Sequence, residues 1–267
     1  MVYEGIGSRS GDWAGKTCGE VREIGERDGS ILVVPVGSVE QHGHHLPVAT
    51  DTILVDAAAN LAVERVEDEI PILTTPPIWS GFSPHHTSFG GTITLEFDVA
   101  MDVLESVANS ALENGFDALV LLNGHGGNGA LISAAVSTIG VEHPDVEVLG
   151  LTYFELAAGF VDEIRDSDVG GMAHGGEFET SLLLHLRPGL VDEDAIEATP
   201  LEEPYDLGTT DLLESGPLSV YREFEEYSHS GAIGRPELAT AEKGAEIYER
   251  LGDELEALMN QIHERNA

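Results

Sequence analysis

Residues 1–267 predict a three-layer α/β/α sandwich with a mostly parallel sheet, in a single domain. Three observations carry this expectation. Short, uniformly apolar runs alternate with stretches of helical spacing, the order that lays a parallel sheet between helices. The runs end at glycine or proline punctuation. No internal repeat and no sharp linker divides the chain.

The elements follow in order. "ILVVPV" (31–36) reads as a buried strand stopped by Gly37. "DTILVDAAANLAVERVEDE" (51–69) has apolar residues at helical spacing, and "IPILTTPPI" (70–78) is a short strand cut off by Pro76 and Pro77. Asp98 is placed to cap a helix over 99–115, whose Val99, Val103, Leu104, Val107 and Leu112 share a face and which Gly115 stops. "DALVLLNGHGGNG" (117–129) is a buried strand entering a glycine-rich turn, and "ALISAAVSTIG" (130–140) is the next helix. "VEVLGLTYF" (146–154) is a further strand. The stretch 192–235, rich in acid, Pro and Ser with weak periodicity, reads as an excursion over the surface, a lid or a subunit contact. Helical spacing returns from Ala239 to His263.

Composition restricts function. Twelve Lys and Arg face 49 Asp and Glu, a formal net charge of −37. Such a surplus repels phosphate backbones, so no nucleic-acid partner is expected. The acids are spread among ordinary apolar runs rather than blocked, which fits a folded surface kept soluble in high salt. Cys18 stands alone, which excludes an internal disulfide or a thiolate metal cluster. The first thirteen residues have neither a basic start nor an apolar stretch, and no run is long enough to span a bilayer, so a cytoplasmic protein without membrane partners is expected.

The chemistry concentrates in loops at strand ends, where ligands gather in such folds. "GSVEQHGHHLPVATD" (37–51) holds Glu40 and His42 two residues apart, on one side of an extended segment, with Asp51 at the start of a helix. Two carboxylates and an imidazole converging there suit Zn²⁺, Mn²⁺ or Fe²⁺. Each alone has a plain reading: Glu40 on the surface, His42 bonded within a loop, Asp51 capping a helix. In "NGHGGN" (123–128), His125 leaves a strand toward the same edge. An anion-binding turn is the rival there, though the loop lacks the residues of a P-loop or a dinucleotide fingerprint. "MAHGGEFETS" (172–181) sets His174, a candidate proton shuttle, beside Glu177 and Glu179, which can ligate metal, orient ligands or simply favour a helix start. In "SPHHTSFGGTITL" (83–95), His86 is a candidate lining residue, against the plain alternative of surface histidine.

Together "VGSVEQHGHHLPVATD", "LLNGHGGN" and "HGGEFETS", with "HHTSFGGTITL" and "GRPELATAEKG", resemble the creatininase family of metal-dependent amidohydrolases. The ordered motifs run from about residue 30 to 250. The resemblance implies a three-layer α/β fold assembled as a homo-oligomer, usually a hexamer. It implies two divalent ions per subunit, with zinc expected first and manganese or iron as alternatives. Glu40, Asp51 and His125 would hold one ion and His42 and Asp51 the other. His174 would act as acid/base, grouped here with Glu179 as catalytic, and His86, Gly126 and Gly127 would line the substrate. Creatininase carries a metal-binding glutamate where this chain has Gly127, and Glu177 is expected to supply the missing carboxylate. The implied reaction is hydrolysis of an amide C–N bond by water activated between two ions. The substrate expected is a small cyclic amide of the creatinine type. Peptide trimming of the mycofactocin-precursor type and formamide deformylation are the alternatives, and a divalent-metal binding protein is the non-enzymatic one.

Overall fold

The alternation read from the sequence becomes four parallel strands: β1 (Ile31–Val36), β2 (Ile72–Thr74), β3 (Ala118–Asn123) and β4 (Glu147–Thr152), in the order β2-β1-β3-β4. The computed structural model describes residues 7–201, 205, 207–208, 211–213 and 216–267. Residues 1–6 of the N-terminal stretch read above, and 202–204, 206, 209–210 and 214–215 of the acidic excursion, lie outside them. The helices are α1 (Cys18–Gly25), α2 (Thr50–Val66), α3 (Phe97–Leu112), α4 (Gly129–Glu142), α5 (Glu177–Leu186) and α6 (Ala241–Asn266).

Strand pleating divides the apolar residues between two faces. Ile31, Val33, Ala118, Val120 and Leu122 pack with residues of α2, α5 and α6, such as Val55, Leu182 and Leu251. Leu32, Val34, Val36, Leu119 and Leu121 pack with Val21 of α1, Leu104 of α3 and Leu131 of α4. Because β1 and β3 are buried on both faces, they read as unbroken apolar runs. Each Leu, Ile or Val so enclosed contributes about 1.5–3 kcal/mol relative to exposure. Helices on both faces of a parallel sheet make the expected three-layer sandwich. No described helix is long and apolar enough to cross a membrane.

Several element bounds differ from expectation. Asp98 does not cap α3: the helix starts two residues earlier than expected, at Phe97, with Glu96 at the cap position, so Asp98 lies in its first turn. β4 ends at Thr152, and Tyr153–Gly159 turn into a 3₁₀ segment. α5 starts at Glu177, ahead of the "TSLLLHL" run. α1 starts at a reciprocal cap in which the Thr17 hydroxyl accepts from the Glu20 amide and the Glu20 carboxylate accepts from the Thr17 amide.

The strand order fixes where a site can form. From β1 the chain crosses to β2 on one side, and β3 leads to β4 on the other, so the connections part between β1 and β3. In an open α/β sheet that parting leaves a crevice at the carboxyl ends of the strands. Gly124 lets the first turn of α2 reach this crevice. A Cβ there would lie 2.6 Å from the Val55 Cβ and 2.9 Å from the Asp51 carbonyl oxygen.

Candidate metal centre

The loop leaving β1 runs extended, its Glu40 amide donating to the Val48 carbonyl at 2.9 Å, so that Glu40 points into the crevice. Asp51 enters from the first turn of α2. His125 follows β3, its amide donating to Asn123 Oδ1 at 3.1 Å while Asn123 Nδ2 donates to the His125 carbonyl at 2.8 Å. Asn128 fastens two further loops, donating to the Gly37 carbonyl and accepting from the Phe82 amide. Glu179 enters from the first turn of α5.

Glu40, His42, Asp51, His125 and Glu179 are all buried, and their ligating atoms converge. His42 Nε2 lies 3.0 Å from Asp51 Oδ1 and 3.6 Å from Glu179 Oε1. His125 Nε2 lies 3.2 Å from Glu40 Oε2, and its Nδ1 lies 3.2 Å from Asp51 Oδ2. Glu40–Asp51–His125, His42–Asp51–Glu179 and Glu40–His42–His174 are three groups that could hold a metal ion. Glu40 Oε1, His42 Nε2 and Asp51 Oδ2 are fully buried yet make no hydrogen bond. Buried polar atoms without partners are costly, and a bound ion's coordination shell would satisfy them. The Nδ1–H of His42 donates to the Glu40 carbonyl at 3.1 Å, which leaves Nε2 as the ligating nitrogen.

The electrostatics agree with that fit. Burial opposes charge on Glu40, but His125 and His86 beside it hold its carboxyl far below the usual range. Burial likewise opposes charge on Asp51, which His42 and His125 hold down at about 2. The price of burying His125 is outweighed by Glu40 and Asp51, and its imidazole is raised to about 10. His42 is also raised well above its ordinary value, with Asp51 and Glu179 overcoming burial. The buried carboxylates are thus balanced by protons on two imidazoles, a positive charge that divalent ions can replace. His174 behaves oppositely: burial, then the neighbouring His42, keeps it neutral well below its ordinary range.

Glu177 does not join this cluster, contrary to the expectation that it completes the second ion site. Its carboxylate accepts the Asp166 and Ser167 amides at 3.0 Å each and pairs with Lys243. Lys243 Nζ also donates to the Leu238 carbonyl at 2.7 Å, so the pair ties the 166–167 loop to the starts of α5 and α6. The helical turn explains the difference. Residues two apart on a helix are rotated by roughly 200°, so Glu179 faces the crevice and Glu177 faces away. Gly127 has no room for the glutamate of creatininase: a Cβ there would lie 2.3 Å from His125 Nε2.

His86 is buried beside the cluster rather than left on the surface, its Nε2 3.3 Å from Glu40 Oε1, and, contrary to expectation, it is His85 and not His86 that lines the neighbouring cleft. Gly126, Gly127 and His174 line a cleft of about 750 Å³ that opens beside the cluster. Phe224, Tyr227 and Ile233 line it too, so the excursion read between 192 and 235 walls the site. The sequence did not single out Gln41, Ser38 or Ser83. The Ser38 hydroxyl lies 3.1 Å from Glu40 Oε2 and 2.6 Å from Ser83 Oγ, and Ser83 Oγ lies 3.0 Å from His125 Nε2. Their one signal was position, within the same loops as the candidate ligands.

Known proteins share this fold. The family model described as "Creatininase: Creatinine amidohydrolase" matches residues 15–259. The chain belongs to the creatininase family and is a hydrolase acting on C–N bonds. The mycofactocin precursor peptide peptidase of Mycobacterium ulcerans is 33% identical over 231 residues, 84% of this chain and 82% of that protein. The creatinine amidohydrolase of Pseudomonas putida is 30% identical over 197 residues, 68% of this chain and 74% of that one. A manganese creatininase structure superimposes with a TM-score of 0.81 at 25% identity, covering 97% of this chain and 99% of its own.

Proposed function

We propose that this chain hydrolyses an amide C–N bond at a centre of two divalent ions, held by Glu40, Asp51 and His125 on one side and by His42, Asp51 and Glu179 on the other. The observation that carries the proposal is the division of Asp51: Oδ1 lies 3.0 Å from His42 Nε2, and Oδ2 lies 3.2 Å from His125 Nδ1. One carboxylate thereby faces both ligand groups, the position of a shared ligand. Ions bound there supply a water nucleophile at neutral pH and polarise the amide carbonyl. Zinc is the first expectation and manganese the second, both suited to this nitrogen and oxygen donor set.

The chain's own residues do the rest. His174, neutral, moves a proton to the leaving nitrogen as the C–N bond breaks. Gly126 and Gly127 leave backbone at the cleft wall, where their N–H groups stand as donors for the carbonyl oxygen. A cleft of about 750 Å³ exceeds what a five-membered ring fills. That volume favours an amide within a larger molecule, such as a peptide, in keeping with what the Mycobacterium ulcerans relative is named for. The creatinine-type ring is the second reading, supported by the Pseudomonas putida relative.

Counting bound ions and assaying creatinine, hydantoins, formamides and short peptides with Zn²⁺ or Mn²⁺ in molar salt tests this. Two ions per chain and turnover of peptide amides above the ring compounds are expected. Turnover confined to ring amides selects the second reading. Tight metal binding with no turnover across the set overturns the catalytic proposal in favour of a metal-binding protein.

A further inference from the structure

Gln41 stands between two candidate ligands, Glu40 and His42, and its side chain is buried. Its amide is oriented from both ends. Oε1 accepts the Gly43 amide at 2.9 Å, so the other end is the NH₂ group. One of those hydrogens goes to the Gly231 carbonyl at 2.9 Å and the other to His86 Nδ1 at 2.8 Å. His86 therefore carries a lone pair on Nδ1 and its proton on Nε2, the atom 3.3 Å from Glu40 Oε1.

The backbone of Gln41 sets the second imidazole. Its carbonyl accepts from His174 Nε2 at 2.7 Å, which puts the His174 lone pair on Nδ1, 3.7 Å from the same Glu40 oxygen. The Gln41 amide nitrogen also approaches His174 Nε2 at 3.3 Å, but with both hydrogens engaged elsewhere that contact is between two donors. The two imidazoles thus hold their protons on the same ring atom and turn opposite ends to the centre. His86 presents an N–H and His174 a lone pair, with the rings 4.5 Å apart. The strap from the excursion holds the pair in place. Phe224 stacks on His86 at 4.2 Å, and the Ile233 amide donates to the His174 carbonyl at 2.8 Å.

We propose that Gln41 is a positioning residue that assigns complementary roles to adjacent histidines. His86 is the hydrogen-bond donor toward the Glu40 carboxylate at the centre. His174 Nδ1 accepts a proton from the attacking water and returns it to the leaving nitrogen as the C–N bond breaks. The roles rest on the amidohydrolase reading above, whereas the proton positions do not.

The test is nitrogen NMR of the Zn²⁺-loaded full chain labelled at histidine, which distinguishes protonated from bare ring nitrogens, combined with kinetics. In the wild type, His86 is expected with a bare Nδ1 and a protonated Nε2. Gln41→Glu replaces the donor with an acceptor and moves a His86 proton onto Nδ1. Gln41→Met keeps the volume and both bound ions, with kcat lowered about 10²-fold or more and KM little changed, the loss expected when an acid/base group is misplaced. A wild-type His86 protonated on Nδ1 overturns the inference without any variant. So does a Gln41→Glu protein whose His86 signature is unmoved, or a Gln41→Met protein with unchanged kcat. If no amide is turned over, the functional reading falls while the NMR signature still decides whether Gln41 sets the histidine.

Discussion

Glu177 and Glu179 show how much chemistry depends on rotation about one helix axis. Both are buried acids in the first turn of α5, where the helix dipole favours them. Glu177 accepts two amides and pairs with Lys243, so its charge is fully partnered. Glu179 accepts the Gly175 amide through Oε2 at 2.7 Å and turns Oε1 to His42. Substituting the two glutamates should therefore have different effects. Glu179→Gln is expected to release one of the two proposed ions, or to weaken it by at least the 10–100-fold typical of lost partners around a ligand. Glu177→Gln is expected to keep both ions while lowering thermal stability, because Lys243 loses its buried counter-charge. Metal analysis of the purified variants decides this, and an ion lost from Glu177→Gln with none lost from Glu179→Gln would restore the sequence-based assignment.

At the scale of elements, the centre is held by links between loops from distant parts of the chain. His45, buried at the end of the "EQHGHH" run, reaches the Gly175 carbonyl at 3.1 Å and the Thr180 hydroxyl at 3.0 Å, tying the β1 loop to the start of α5. Burial dominates over that carbonyl contact and lowers His45 to about 4. The sign of the stability effect follows. Between about 6.5 and that value the unfolded chain binds a proton that the folded chain does not, so stability falls as the medium is acidified. The contribution is complete above the unfolded value and lost through this window, at most on the order of 3 kcal/mol. Urea unfolding of metal-free protein at pH 7 and pH 5 should show a smaller acid loss in His45→Gln than in the wild type. Equal losses would exclude His45 as the cause.

The same links explain what the sequence disclosed. Glu40 and His42 were legible because an extended segment repeats every two residues, and Asp51 because a helix start so near a strand end has few places to point. His125 followed from the strand that carries it. The Glu177 assignment, made to replace the carboxylate missing at Gly127, failed because α5 begins at Glu177, three residues ahead of its apolar run, and the helical turn points Glu179 rather than Glu177 into the crevice. The reciprocal cap of α1 was present as Thr17 and Glu20 and went unread. For 192–235 the sequence offered a surface excursion, a lid or a subunit contact without deciding among them. Part of its role at the site is made by the Gly231 carbonyl and the Ile233 amide, and backbone contacts leave no pattern in side chains.

For the whole molecule the governing quantity is charge. Twelve cationic side chains among 49 acids cannot neutralise the surface. Several of them already serve more than one acid: Arg65 lies within 4 Å of Glu249, Asp253 and Glu256, and Arg250 of Glu163 and Glu246. Adding salt weakens these exposed pairs, each worth about 0–1 kcal/mol, but also screens the far more numerous repulsions between acids. The screening length falls from about 10 Å at 0.1 M to about 3 Å at 1 M, which is shorter than most spacings between surface carboxylates. Repulsion summed over the excess of acids should therefore outweigh the lost pairs, and the melting temperature should rise by several degrees from 0.1 M to 2 M NaCl. KCl should act alike, and sucrose at matched osmolality should give a smaller rise, since only ions screen. A melting temperature that is flat or falls with salt would mean that the few ion pairs outweigh the many repulsions, and the reading of this surface as one suited to concentrated salt would be wrong.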